Sequence, residues 1–261
     1  MKLPTIQYAT FTLTEPHSGK VIKFRPFTVK EDRLILQNHV LEDIVAHVNT
    51  MCDVIDACSE YKIESRTLPA SSIDLLFLQL RARSKGEILP IIYTCRKPTG
   101  KNVINEDEKE VPELCNTRIS YDINLNEIKL IIPDDFETKR IVFLNESKTQ
   151  GIKFKEPDFI NKNINKITDK ETYNDTFDMD ENYIYLCVES IFDGDDITLP
   201  EQDFTIAEFI DWCETIPKDK ISLINDFFEA LPYISLKDTI KCPKCGNTAE
   251  LEFNDLNDFL D

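Results

Sequence analysis

Apolar and polar positions repeat with two different periods along this chain, and the changes of period mark its elements. Residues 5–27 read TIQYATFTLTEPHSGKVIKFRPF, with Ile6, Tyr8, Phe11 and Leu13 before the polar EPHSGK and Val21, Ile22, Phe24 and Phe27 after it. Near-alternation on both sides of a Pro- and Gly-containing turn predicts a β-hairpin. The period then lengthens. Thr28 and Glu31 form the S/T-x-x-E capping pattern ahead of an apolar run, so a helix is expected over 29–40. A second is expected over 42–58, where Ile44, Val45, Val48, Met51, Cys52 and Ile55 recur at helical spacing. ASSIDLLFLQLRARSKGE predicts a third, with Ser71 as its cap, Asp74 in its first turn and Gly86 past its last basic turn.

From 89 to 130 the pattern is strand-like again, in LPIIYTC and TRISYDINLNEIKLII, separated by the polar, turn-rich RKPTGKNVINEDEKEVPEL. Residues 134–178 follow neither period and read as an extended polar insertion. A helical half comes next: an apolar helix over 181–192, a helix opened by the Thr205–Glu208 capping pattern, and one that starts near Pro217 and stops before Pro232.

Composition narrows the function classes. With 41% apolar residues, 16 Phe and 8 Tyr, the chain can build a core. Its formal charge of −18 repels nucleic acid and anionic membranes, which makes proteins the expected partners. No apolar run is long enough to span a bilayer, and the opening residues carry no secretory pattern. Its eight cysteines are therefore expected in a reducing compartment, as thiols or metal ligands. Cys52, Cys58, Cys187 and Cys213 sit at apolar helical positions and read as core. Glycine is scarce, and neither GxGxxG nor GxxxxGK occurs.

The remaining cysteines carry the chemistry. Cys242 and Cys245 form Cys-x-x-Cys followed by Gly246, a turn that points two thiolates at one ion. A strand follows it, where a redox pair would open a helix. The missing pair comes from an internal repeat. Tyr93-Thr-Cys95 parallels Ile240-Lys-Cys242, Cys115-Asn-Thr parallels Cys245-Gly-Asn-Thr, and Leu125-Asn-Glu-Ile parallels Leu256-Asn-Asp-Phe. Each unit is strand, cysteine turn, strand and short apolar ending, and the first turn has grown to 19 residues. Lengthening a closed loop costs only about 0.6 kcal/mol per doubling, so a hairpin tip tolerates it. Cys95, Cys115, Cys242 and Cys245 are thus the expected ligands of a structural zinc ion. The bland alternative makes Cys95 and Cys115 ordinary strand residues and the fold a degenerate one without metal.

Other constellations do not converge on a reaction. The three His form no HExxH, no Gly-x-Ser-x-Gly elbow occurs, and FDGDDITLPEQD lacks the glycine of a calcium loop. His17 lies in the first turn. Arg25, between Phe24 and Phe27, is expected to stack on one of those rings or pair with an acid. From Glu171 to Pro217 there are 14 Asp and Glu and no Lys or Arg. That stretch is either a solvated acidic face or a surface for a basic partner, with Asp193, Asp195 and Asp196 as the docking candidates.

The fold class expected is α+β: an N-terminal β-hairpin (1–27), a helical region (28–87), paired cysteine hairpins forming a zinc-ribbon-like module (88–132 with 236–261), a polar insertion (133–180) and an acidic helical region (181–235). Three segments, LPTIQYATFTLTEPHSGKVIKFRPFTVKED, SSIDLLFLQLRARSKGE and the ESIFDGDDI–FFEALP–cysteine-hairpin ending, together resemble the baseplate hub assembly family of T-even-type contractile-tailed bacteriophages. Members share a strand pair ending in Arg-Pro-Phe and often cysteine pairs in both hairpins. The likeness spans most of the chain outside 96–114 and 134–178, and the 19-residue insertion departs from it. It implies a late, non-enzymatic role in virion morphogenesis, as hub component or assembly chaperone. The implied partners are other hub proteins or further copies of the chain, with no nucleic acid, membrane or small-molecule substrate. The implied place is the host cytoplasm or the virion tail baseplate. The competing readings are a zinc-ribbon nucleic-acid-binding module of the transcription-factor kind and a carboxylate-based hydrolase.

Overall fold

A computed structural model describes residues 6–40, 44–60, 62–104, 109–160 and 181–259 of the protein. The first hairpin is β1 (Phe11–Thr14) and β2 (Val21–Phe24), antiparallel with Leu13 opposite Ile22 and Phe11 opposite Phe24. Alternation turns Leu13, Ile22 and Phe24 into the core. The turn between the strands is anchored by Glu15, which is buried and accepts the backbone N–H groups of His17 (3.0 Å) and Ser18 (2.6 Å) and the hydroxyls of Ser18 and Ser72. His17 Nε2 lies 3.0 Å from Ser71 Oγ and 3.3 Å from the Glu156 carboxylate. The turn is therefore pinned to the start of the third helix.

Helices α1 (Val29–Val40), α2 (Ile44–Cys58) and α3 (Ala70–Lys85) follow. α3 is buried on nearly every side, with Ile73, Leu76, Phe77, Leu78 and Leu80 at its centre. Its N-cap is Pro69, and Ser71, expected as the cap, lies inside the helix. Proline offers no side-chain acceptor, and the Glu156 carboxylate takes the Ser71 backbone N–H at 2.7 Å instead. Thr28 and Glu31 meet as the capping pattern anticipates: the Thr28 N–H donates to Glu31 at 2.7 Å. Glu31 also receives Arg25 at 2.9 Å, while the guanidinium lies 5.4 Å from the Tyr8 ring centre. Burial disfavours the Glu31 carboxylate, but the Arg25 and Thr28 bonds outweigh it and hold its pKa at about 2.

Next come β3 (Ile88–Thr94), β4 (Pro98–Ile104), β5 (Glu110–Leu114), β6 (Arg118–Asn124) and β7 (Lys129–Ile131). β3 pairs with β6 from Ile88↔Asn124 to Thr94↔Arg118. The polar stretch between them is a hairpin of its own, β4 with β5, whose β4 side chains are exposed. Near the C-terminus β12 (Tyr233–Lys241) and β13 (Thr248–Phe253) form a second long hairpin, and β7 joins β12 through Tyr233↔Ile131. After each hairpin a short 3₁₀ turn, Leu125–Glu127 and Leu256–Phe259, returns a leucine to the core. Apart from β4 and β5, these elements share the first hydrophobic core with β1, β2, α2 and α3.

A second core lies within residues 136–231. It is built on a four-stranded antiparallel sheet in the order β11-β10-β9-β8, from β8 (Ile141–Phe143), β9 (Gln150–Phe154), β10 (Val188–Asp193) and β11 (Asp196–Thr198). Helices α4 (Phe136–Lys139), α5 (Glu181–Cys187), α6 (Ile206–Cys213) and α7 (Lys218–Glu229) cover it. Phe227 stacks on Phe154 with ring centres 4.8 Å apart. Two expectations change here. Part of the stretch read as a polar insertion is ordered: Phe136, Val142, Ile152 and Phe154 are buried. Each lies in a short element, too brief for its periodicity to stand out between charged residues. Residues 161–180 of that insertion lie outside the described residues. The helix expected over 181–192 ends at Cys187 and becomes β10, because Ser190, Ile191 and Phe192 gain ladder partners on β9.

Candidate metal centre

The two long hairpins bring four cysteine sulfurs together. All four Sγ atoms lie within 4.8 Å of one another, with Cys95–Cys245 at 3.7 Å and Cys115–Cys242 at 3.8 Å. Four sulfurs placed about 2.3 Å from one ion at tetrahedral angles stand about 3.8 Å apart, so the donor set fits zinc in size as well as in chemistry. Cys95, Cys115 and Cys242 are buried and Cys245 is exposed, and no pair is joined as a disulfide. Tyr93 and Ile119 pack against the buried three.

The backbone repeats itself around this cluster. Cys95 N–H donates to the Thr117 carbonyl at 2.9 Å, and Cys242 N–H donates to the Asn247 carbonyl at 2.8 Å. Asn116 N–H returns to the Cys95 carbonyl and Gly246 N–H to the Cys242 carbonyl, each at 2.9 Å. The residue after the second cysteine is left-handed in both turns, φ +52° at Asn116 and +71° at Gly246. Gly and Asn are the residues that adopt this conformation most readily. Each turn thus points both of its thiols to one side.

Electrostatics at the cluster are uneven. The backbone N–H of Cys245 and then that of Lys244, working against burial, draw the Cys242 thiol down to about 6. The Thr117 hydroxyl, 3.2 Å from Cys115 Sγ, lowers Cys115 as well. Cys245 moves the other way: the Asn247 N–H favours its thiolate, but burial and the neighbouring sulfurs push it up to about 11. A cation among the sulfurs would relieve that mutual repulsion. If bound, zinc would supply structural cross-linking, since four thiolates leave no position for water. The other four cysteines are buried singly in the two cores, and burial raises Cys52 to about 11 and Cys58 to about 12.

Comparison with known proteins places the chain. Residues 8–261 match the family described as T4 bacteriophage base plate protein. The chain belongs to that family. Within it, the baseplate hub assembly protein gp26 of Enterobacteria phage T4 is 26% identical over 245 residues, covering 93% of this chain and 94% of that relative. No solved structure matches. The family resemblance carried by the Arg-Pro-Phe and cysteine segments therefore holds over nearly the whole base plate chain, including both cores.

The acidic candidates lie far along the chain from the sulfurs. Asp193 and Asp196 face each other across the tight β10–β11 turn, with Gly194 left-handed at φ +62° and Asp195 between them, all exposed. Reading the sequence missed two contributors to the cysteine site. Thr117 was visible as part of the repeated Cys-Asn-Thr pattern, but its bond to sulfur was not. Tyr121, whose hydroxyl donates to Asp238 and so ties β6 to β12, has no counterpart signal in the repeat. No helix among the described residues is long and apolar enough to cross a membrane.

Proposed function

We propose that this protein serves in assembly of the phage base plate hub by docking onto other hub proteins, as component or chaperone. The observation that carries this is the family match across 8–261, joined to a relative of nearly equal length whose name is baseplate hub assembly protein. The formal charge of −18 supports protein partners over nucleic acid. In this reading the hairpins of 88–132 and 236–261 form one zinc-ribbon-like module. Cys95, Cys115, Cys242 and Cys245 hold a structural zinc ion that clasps the C-terminal hairpin to the earlier one. Asp193, Asp195 and Asp196 form the docking tip, because an exposed turn of three carboxylates attracts a basic surface. The protein would work in the host cytoplasm during assembly, at or on the way to the tail baseplate, with no substrate to turn over.

The test is charge reversal at the tip, D193K with D195K and D196K, in a phage that depends on this chain. Hubs and tails are then counted by electron microscopy. Hub yield should fall while the purified variant keeps its circular dichroism and melting temperature. Normal hub yield would remove the tip from the docking surface.

A further inference from the structure

Beside the acidic tip lies an open cavity of about 610 Å³ between the β9–β10 face, the loop before α6 and α6 itself. Its apolar walls include Phe192, Phe204 and Trp212, all half-buried. Its polar walls include the carboxyl-bearing residues Asp193, Asp203 and Glu208, and among the described residues no Lys, Arg or His lines it.

The walls are held in place before any partner arrives. Phe192 lies directly over Gly151, where a Cβ would stand 2.5 Å from its ring, so only glycine lets that ring close against β9. Phe143 meets the same ring edge-on at 6.0 Å. Tyr185 fixes the loop before α6: it accepts the Glu201 N–H at 3.1 Å and packs against the rings of Phe204 and Phe209. Asp203 accepts the Leu199 N–H at 2.8 Å, and Glu208 accepts the Thr205 N–H at 2.8 Å. Both carboxylates are thus oriented by local backbone, and the Thr205 backbone and hydroxyl bonds lower the Glu208 pKa.

Resting on the docking reading above, we infer that this cavity is the anchor site of the docking surface. It takes an apolar or aromatic side chain from a partner protein's segment that carries Lys or Arg on both sides of that anchor. The apolar walls favour the anchor by excluding water. The carboxylates select its cationic flanks and steer their approach. A preformed cavity of this size loses little entropy on binding. A second copy of this chain is a poor occupant, because two chains of −18 repel.

Trp212 is the only tryptophan in the chain, so its emission reports the cavity directly. The probes are three synthetic peptides with a central Leu-Phe, flanked by Lys, by Ser or by Glu. The Lys-flanked peptide should shift Trp212 emission saturably and bind less tightly as salt rises, and the Glu-flanked one should not bind. The variant D193N with D203N and E208Q keeps the backbone acceptors. It should bind the Lys-flanked peptide about tenfold more weakly, the effect of a few exposed ion pairs, while still melting in one cooperative transition. The inference is overturned by equal binding of the Ser- and Lys-flanked peptides, by unchanged affinity in the variant, or by no saturable shift. It is equally overturned if the emission shifts with protein concentration alone as dimers sediment. Failure here with defective hubs in the charge-reversed phage would leave the docking reading intact. Peptide binding with normal hubs would remove the tip and this cavity from the docking surface and leave the cavity's selectivity standing.

Discussion

The two cysteine turns reach the same end from different lengths of chain. In the C-terminal hairpin two residues separate Cys242 from Cys245, whereas 19 separate Cys95 from Cys115. Yet the same two backbone hydrogen bonds close both turns, with a left-handed residue at the same place. In the longer turn the inserted residues form their own hairpin, β4 with β5, starting at Pro98↔Leu114 just beyond the cysteines. What positions the sulfurs is therefore the ends of the flanking strands and one backbone conformation, and the loop's length is nearly irrelevant. The insertion leaves the cluster together because it pairs with itself and asks nothing of the strands beneath it.

That comparison can be broken in several ways. The largest effect is expected from the four cysteines themselves. Cys95→Ser and Cys242→Ser should each abolish a stoichiometry of one zinc per chain and forfeit binding free energy of up to on the order of 10 kcal/mol. Zinc retained in Cys95→Ser, measured by elemental analysis, would show that the long turn takes no part. Acid should act in the same direction. A thiol lowered to about 6 contributes stability that is complete above its ordinary value and lost as pH falls through 6. Bound zinc competes with protons for the thiolates, so its release should come at lower pH than that, and a site that keeps its ion in strong acid would contradict the cluster described.

Smaller changes sharpen the comparison. Replacing residues 96–114 by a two-residue turn should leave zinc stoichiometry unchanged and move stability in urea by no more than about 2 kcal/mol. Loss of metal from that variant would mean the inserted hairpin holds the sulfurs after all. Gly246→Ala should cost about 1–2 kcal/mol because alanine resists the left-handed conformation, while Asn116→Gly should be close to neutral. The reverse order in thermal melts would break the equivalence of the two turns. Least of all, Tyr121→Phe should cost about 1 kcal/mol through the lost bond to Asp238, with zinc content unaltered.

Much of this was legible along the chain because it is local or repeated. Alternation marked β1 and β2, the Thr205–Glu208 capping box is present in full, and helical spacing marked α1 to α3. The repeat of strand, cysteine turn, strand and leucine ending pointed to four cysteines as a set, and their sulfurs are neighbours. Where pairing is distant, the signal was absent or misleading. Val188 to Phe192 continue an apolar helical pattern, yet they form a strand because β9 lies beside them. Ser71 looks like a cap, but Glu156, 85 positions away, takes its backbone N–H. Arg25 pairs with Glu31, and the ring it lies over is Tyr8, 17 positions away, where the sequence pointed to its neighbours Phe24 or Phe27.

By itself, then, the order of residues determined the hairpins, the first three helices, the four-cysteine set and the acidic bias, because each follows from spacing within a few turns or from a repeated pattern. Tertiary structure alone decided that β4 and β5 pair with each other directly beyond the cysteines and that short polar-flanked segments build a second core. It also decided that three carboxylates surround an aromatic cavity beside Trp212. Those outcomes depend on which strands and helices meet across long stretches of chain, and burial and hydrogen bonding at such distances leave no period to read.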